Sequence, residues 1–267
     1  MDLTFYELQQ LAENAYTIED TRNDLGELVE YFKSLPYYQQ SLESLIKIER
    51  KLNVETAVKH DVFFVSEDTV LEDLEDKFKN ESLGFVRGKY ITQLGRLVYP
   101  VKDVKGNVMG LVGWDKYEEP KYLDSKNFGY KAKQTTLYGM EELPNYYTSN
   151  KPVFLVEGVV DCLYLRQNGF QALSSLGSYL TKYCIEILKR FGSRLYVVPD
   201  MDEAGNSYVK QVMRVLPKAH IFQARNGKDI DGFRKLEDSK YEKQVLKDLN
   251  TLSTIPFIQT ESFYNRR

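Results

Sequence analysis

This 267-residue chain is poor in the residues that build metal staples and cross-links. Its two cysteines, Cys162 and Cys184, stand far apart with no CxxC partner, which fits buried thiols in a reducing compartment and excludes a disulfide framework. The two histidines, His60 and His220, are isolated as well, so no zinc finger or zinc ribbon can be assembled. No apolar run approaches the roughly 18 residues that a membrane-spanning helix needs. The opening "MDLTFYELQQ" is acidic and amphipathic, unlike the basic-then-apolar pattern of a signal peptide. Internal repeats and low-complexity linkers are missing too. Positive charge is in the minority, with 36 Lys and Arg against 39 Asp and Glu.

That average hides an asymmetry. Residues 1–80 carry 8 basic and 18 acidic side chains, a net of −10, whereas residues 81–140 carry 10 basic and 6 acidic, a net of +4. A polyanion contact is therefore expected in the middle segment, and a solvated or protein-binding helical face in the first.

Up to about residue 80, apolar positions recur at helical spacing in "FYELQQLAENAY", "LGELVEYFKSL", "SLESLIKIERKL" and "VLEDLEDKFKN", which predicts several helices broken near Asn23–Asp24 and at Pro36. "DVFFVS" is compatible with a short strand. From residue 84 the period changes, and "GRLVYPVKDVKGNVMGLVGWDK" predicts a hairpin with strands at 97–102 and 107–113 around "DVKGN". From residue 151, strands and helices alternate: "PVFLVEG", "VVDCLYLRQNG", "FQALSS", "LTKYCIEILKRFG", "RLYVVPD", "AGNSYVKQVMRVL" and "HIFQAR". This spacing indicates βαβ units and a parallel sheet covered on both faces.

In such a sheet, ligands sit beyond the carboxyl ends of the strands. Three acidic clusters fall at those ends. Glu157 follows the first strand, Asp200 and Asp202 follow the third in "PDMDEAGN", and Asp229 and Asp231 follow the fourth in "NGKDID". Asp161 stands one helical turn after Glu157, so both can face one side. One DxD alone could be a helix cap or a solvated turn. Three clusters on one sheet edge call for a hard, oxygen-seeking cation, and Mg²⁺ shared with substrate phosphates suits them. A haloacid-dehalogenase-like phosphatase is disfavoured, because Ala204 stands where that class has Thr or Val and the motif lies on the third strand.

The blocks "VEGVVD" (156–161), "SLGS" (175–178), "PDMDEAGN" (199–206) and "NGKDID" (226–231) resemble those of a Toprim domain, in the same order. Upstream, "GRLVYPVKDVKGNVMGLVG" (95–113), "PKYLDS" (120–125) and "TLYGMEE" (136–142) resemble the segment before that domain in the RNA-polymerase core of DnaG-type bacterial and phage primases. The resemblance runs from about residue 84 to about 236. It implies an α/β fold in which a Toprim domain, with a central parallel sheet flanked by helices, follows N-terminal helices and a mixed α+β subdomain. The expected segments are helices over 1–83, a basic nucleic-acid-binding subdomain over 84–150, the Toprim catalytic domain over 151–236, and a helix and tail over 237–267.

The resemblance also implies a function: synthesis of short RNA primers on single-stranded DNA by metal-dependent nucleotidyl transfer. Glu157, Asp200 and Asp202 take the catalytic positions. Two Mg²⁺ or Mn²⁺ ions are expected on Glu157, Asp161, Asp200, Asp202, Asp229 and Asp231, with Glu157 a ligand or a general base. Arg96, Lys121 and Lys133 fall at the family's basic positions for template or nucleotide phosphates. Trp114, where the family has Arg, is either a packing aromatic or a base-stacking platform. Ile230 replaces the family's Pro, which weakens the assignment of Asp231. The implied partners are single-stranded DNA, ribonucleoside triphosphates, and a replicative helicase or a separate zinc-binding start-site subunit, in the cytoplasm of a bacterial or phage-infected cell. Blocks for the family's zinc-binding and helicase-binding domains are not found in this sequence, which suggests a minimal core. The alternatives are a Toprim-type nuclease and a non-catalytic replisome subunit.

Overall fold

The computed structural model describes residues 19–49, 52–125, 136–177, 179–200, 203–222 and 239–254. Three helices come first: α1 (Glu19–Ser34), α2 (Tyr38–Glu49) and α3 (Val54–Lys59). Pro36 separates α1 from α2 as expected, but α1 runs straight through Asn23–Asp24. Neither residue is a strong breaker inside an apolar-periodic segment, so the buried stripe of Leu25, Leu28, Val29 and Phe32 carries the helix past them. "VLEDLEDKFKN" is another departure. It forms short 3₁₀ turns at Leu71–Asp73 and Asp76–Lys79, because its apolar residues (Leu74 and Phe78 are buried) are too few to seat a full helix face. "FYELQQLAENAY" lies outside the described residues.

An antiparallel sheet follows, built from β1 (Phe63–Phe64), β4 (Leu97–Lys102), β5 (Val108–Trp114) and β6 (Tyr122–Asp124) in that spatial order. A small hairpin, β2 (Val86–Arg87) with β3 (Tyr90–Ile91), stands apart. Asp103 makes the β4–β5 turn: its Oδ1 accepts from the backbone N–H of Lys105 at 2.8 Å and of Asn107 at 2.9 Å. The register shifts between Val101 and Lys102, a bulge that moves the second strand one residue beyond the expected span.

After α4 (Leu143–Thr148) come β7 (Val153–Val156), α5 (Val159–Gln167), β8 (Gln171–Ser174), α6 (Lys182–Lys189), β9 (Leu195–Val197), α7 (Glu203–Val215) and β10 (His220–Ile221). These strands form a parallel sheet in the order β10-β9-β7-β8. The final described helix is α8 (Ser239–Thr254).

Strand alternation decides which faces meet. On β7, Phe154 and Val156 enter a core with Cys162 and Leu163 of α5, while Val153 and Leu155 enter a second core with Ile187 of α6 and Val212 of α7. The parallel sheet is therefore covered on both faces, which is why its strands are apolar throughout. The first of these cores also takes Leu97, Tyr99 and Val101 from β4, and Val245 and Leu249 from α8. The opposite face of β4, through Val98, packs with Phe63 and the α1 stripe. The two sheets thus share one apolar interior, and β1 ties the helical region to the antiparallel sheet. No helix among the described residues is long and apolar enough to cross a membrane.

Candidate active site at the carboxyl edge of the parallel sheet

The chain leaves β7 through α5 to reach β8 on one side, then crosses by α6 to β9 on the other. The strand order therefore reverses between β7 and β9, and their carboxyl ends open a crevice there. Glu157 follows β7 and Asp200 follows β9, so the two carboxylate residues stand on adjacent strand ends. The backbone N–H of Asp200 donates to Glu157 Oε1 at 3.3 Å. Glu157 is only 8 % exposed, unusual for a carboxylate.

The backbone of Glu157 is held from the β8 side. Its carbonyl accepts from Ser174 Oγ at 2.7 Å and from the Gly177 N–H at 3.1 Å. Ser175 Oγ donates to the Gly177 carbonyl at 2.6 Å and accepts from the Tyr208 hydroxyl at 3.0 Å. Tyr208 is buried on α7, the helix that begins just after Asp200. Burial raises its pKa, and the nearby Glu157 and Asp200 raise it further, against the opposing hydrogen bond to Ser175. It stays a neutral donor.

Two glycines let the carboxylates in. A Cβ on Gly205 would lie 2.0 Å from the Asp200 carbonyl oxygen, so α7 starts against the Asp200 backbone only because residue 205 has no side chain. A Cβ on Gly158 would lie 2.7 Å from Asp161 Oδ2. Asp161 is 8 % exposed and sits in the first turn of α5, where the helix dipole favours a negative charge.

Among the described residues, no three His, Cys, Asp or Glu side chains are grouped so as to hold a metal ion by themselves. Asp202, Asp229 and Asp231 lie outside the described residues, as does Lys133. The oxygen-only donor set of Glu157, Asp161 and Asp200 does suit a hard divalent cation completed by further carboxylates, water and phosphate.

The basic positions divide. Lys121 is exposed before β6. Arg96 is buried, and its Nη1 donates to the carbonyls of Pro120 at 3.2 Å and Lys121 at 3.1 Å. It therefore acts on the Lys121 loop from beneath rather than facing solvent. Trp114, considered as a stacking platform, is only 8 % exposed in the shared core beside Leu97 and Tyr99, so no ring face is open to a base. The terminal position of a core strand explains this, since its side chain falls on the inward side of the pleat.

Ser174, Ser175 and Tyr208 are site residues beyond those expected from the sequence, although Ser175 opens the "SLGS" block. The two serines at a strand end were a readable signal. Tyr208 was not, because on an apolar helical stripe its ring looks like any core residue.

A family model described as Toprim-like matches residues 154–234, which contain every site carboxylate named above. The DNA primase of Clostridium acetobutylicum is 31% identical over 179 residues, 64% of this chain and 29% of that protein. The DNA primase of Aquifex aeolicus is 32% identical over 131 residues, 48% of this chain and 26% of that protein. The matches thus span under a third of the length of either curated relative. Among solved structures, the DnaG catalytic core superposes with a TM-score of 0.68 at 22% identity, covering 85% of this chain and 79% of that one. The Aquifex aeolicus primase structure with zinc-binding and RNA polymerase domains gives 0.70 at 22% identity, covering 92% of this chain and 66% of that one. A DnaG primase catalytic domain bound to single-stranded DNA gives 0.65, also at 22% identity, over 85% of this chain and 79% of that one.

Proposed function

We propose that this chain, whose fold is that of the DnaG-type primase catalytic core with a Toprim-like domain, makes short RNA primers on single-stranded DNA by nucleotidyl transfer. The observation that carries the reading is the pairing of Glu157 and Asp200 on adjacent strand ends at the switch point, inside the matched segment. Glu157, Asp200 and Asp202 are the proposed catalytic carboxylates, with Asp161, Asp229 and Asp231 completing the acidic site.

A divalent cation bound there, Mg²⁺ or Mn²⁺ and in this reading two ions, would neutralise phosphate charge and lower the pKa of an attacking hydroxyl. The chain's own residues do the positioning. Ser174 and Gly177 fix the Glu157 backbone, and the Asp200 N–H orients the Glu157 carboxylate. Lys121 and Lys133 contact template or nucleotide phosphates, a sequence-independent grip, while Arg96 supports the Lys121 loop. Functionally, residues 84–150 supply that grip and residues 151–236 the chemistry, between a proposed N-terminal helical segment (1–83) and a proposed C-terminal helix and tail (237–267). Single-stranded DNA and ribonucleoside triphosphates are the proposed substrates, and a replicative helicase or a zinc-binding start-site subunit the proposed partners.

The test is ribonucleotide incorporation on varied single-stranded templates with Mg²⁺, using the whole chain and a Glu157→Gln variant. Template-directed primers that fall by at least about a hundredfold in the variant are expected, the scale on which removing a positioned electrostatic group acts. Undiminished synthesis in the variant, or strand cleavage in the absence of ribonucleotides, overturns the reading, the latter in favour of a nuclease.

A further inference from the structure

From the exposed aromatic side chains we infer a nucleobase-binding position at Tyr179, an inference that rests on the acidic site being a nucleotide site. Large apolar side chains that face solvent singly are ordinary. Tyr179 differs in where it stands and how it is held. The exposed rings of Tyr37, Tyr90, Tyr117 and Tyr122 lie on the helical region, the small hairpin, the loop before β6 and β6 itself. Tyr179 is 70 % exposed and lies in the loop after β8, at the carboxyl edge that carries Glu157 and Asp200.

Described residues before and after that ring are tied down. Upstream, the Gly177 N–H donates to the Glu157 carbonyl at 3.1 Å, and the Leu176 N–H donates to Ser174 Oγ at 3.1 Å. Leu176 holds a left-handed φ of 58°, uncommon for a branched side chain, and packs against the shared core. Downstream, Leu180 is buried, and Thr181 caps α6 by accepting the Cys184 N–H at 3.2 Å. Tyr179 thus stands two residues, at most about 7 Å of chain, from a glycine bonded to Glu157.

A solvent-facing phenol on the strand edge that carries an acidic cation site matches one ligand class: a nucleoside triphosphate, with phosphates toward the carboxylates and the base against the ring. Stacking tolerates every base, because each has a π-face, as a template-directed enzyme requires. A Tyr ring contributes this contact at little rotamer cost on ordering.

Calorimetric binding of ATP and of inorganic tripolyphosphate, both with Mg²⁺, tests the inference on the whole chain. Tyr179→Ala, Tyr179→Phe and Asp200→Asn are compared with the unmodified protein. Tyr179→Ala is expected to weaken ATP by about 5- to 150-fold, the equivalent of about 1–3 kcal/mol, and to leave tripolyphosphate unchanged. Tyr179→Phe should bind both as the unmodified chain does, because the ring and not the hydroxyl makes the contact. Equal ATP binding in Tyr179→Ala, equal losses of both ligands, or a Phe variant as weak as Ala overturns the stacking role. Asp200→Asn separates the two levels. If it abolishes Mg²⁺-dependent tripolyphosphate binding while Tyr179→Ala changes nothing, the acidic site stands and Tyr179 alone is refuted. If the unmodified chain binds neither ligand, both fall.

Discussion

At Gly205 a hydrogen atom stands where any other residue would put a Cβ 2.0 Å from the Asp200 carbonyl oxygen. The contact is to backbone, so no side-chain rotation relieves it, and the start of α7 or the end of β9 has to move. Gly205→Ala is expected to destabilise the fold by about 1–3 kcal/mol, the usual cost of overpacking, despite the better helix propensity of Ala. It should also lower divalent-cation affinity, because the displaced atoms belong to Asp200. A urea unfolding series paired with Mn²⁺ calorimetry checks both, and an Ala variant equal to the parent in both contradicts this account. The same residue-scale logic separates Arg96 from Lys121. Both sit at expected phosphate-binding positions, yet burial commits Arg96 to two backbone carbonyls while Lys121 faces solvent.

At the scale of elements, the acidic edge depends on three strand ends being tied together. β7 and β9 are joined by the Asp200 N–H on Glu157, and β8 joins them through Ser174. Tyr208 adds the tie from α7 to the end of β8 through Ser175. Tyr208→Phe keeps the ring and removes only this hydrogen bond between buried groups. A loss of about 0.5–1.5 kcal/mol is expected by urea unfolding. A Ser175→Ala, Tyr208→Phe double variant should lose less than the sum of the two single losses, since both remove one interaction. Strict additivity would show that the two hydroxyls are not coupled.

At the scale of the molecule, one polar cluster crosses three regions of the shared interior. Arg166 of α5 donates to Glu141 Oε1 at 2.8 Å, to the Gly139 carbonyl at 3.0 Å and to the Ala172 carbonyl at 3.1 Å. His60, at the end of α3, lies 3.4 Å from Arg166 through Nδ1. Burial, then the charges of Arg166, Lys59 and Lys102, push the His60 pKa down to about 3. Its ring is therefore neutral, and its 3.8 Å approach to Glu141 is not an ion pair at ordinary pH.

A histidine whose folded pKa lies below its unfolded value of about 6.5 binds more protons when unfolded. Its contribution to stability is complete above that value and is lost as pH falls from about 6.5 toward 3. Roughly 2 kcal/mol is expected to disappear between about pH 7.5 and 5, read as a falling urea midpoint. His60→Asn, which keeps an acceptor near Arg166 and cannot titrate, should flatten that slope. An unchanged slope would move the acid sensitivity to other groups.

The sequence by itself determined the β4–β5 hairpin, the order of elements from β7 to β10, and the places of Glu157 and Asp200 after strands, because period-2 and period-3.6 apolar patterns and turn residues act locally. It also determined the Toprim-like and primase-core likeness, through blocks that short-range chemistry keeps together. Only the tertiary structure decided which face each strand presents to which core. That choice buried Trp114, turned Arg96 inward and carried α1 past Asn23–Asp24, since burial is a property of neighbours far away in the chain. It also brought the Tyr208 hydroxyl to Ser175 at the end of β8 and left Tyr179 facing solvent at the same edge. Packing gave the two tyrosines opposite fates: the α7 face of Tyr208 had a sheet to cover, and the loop of Tyr179 had none.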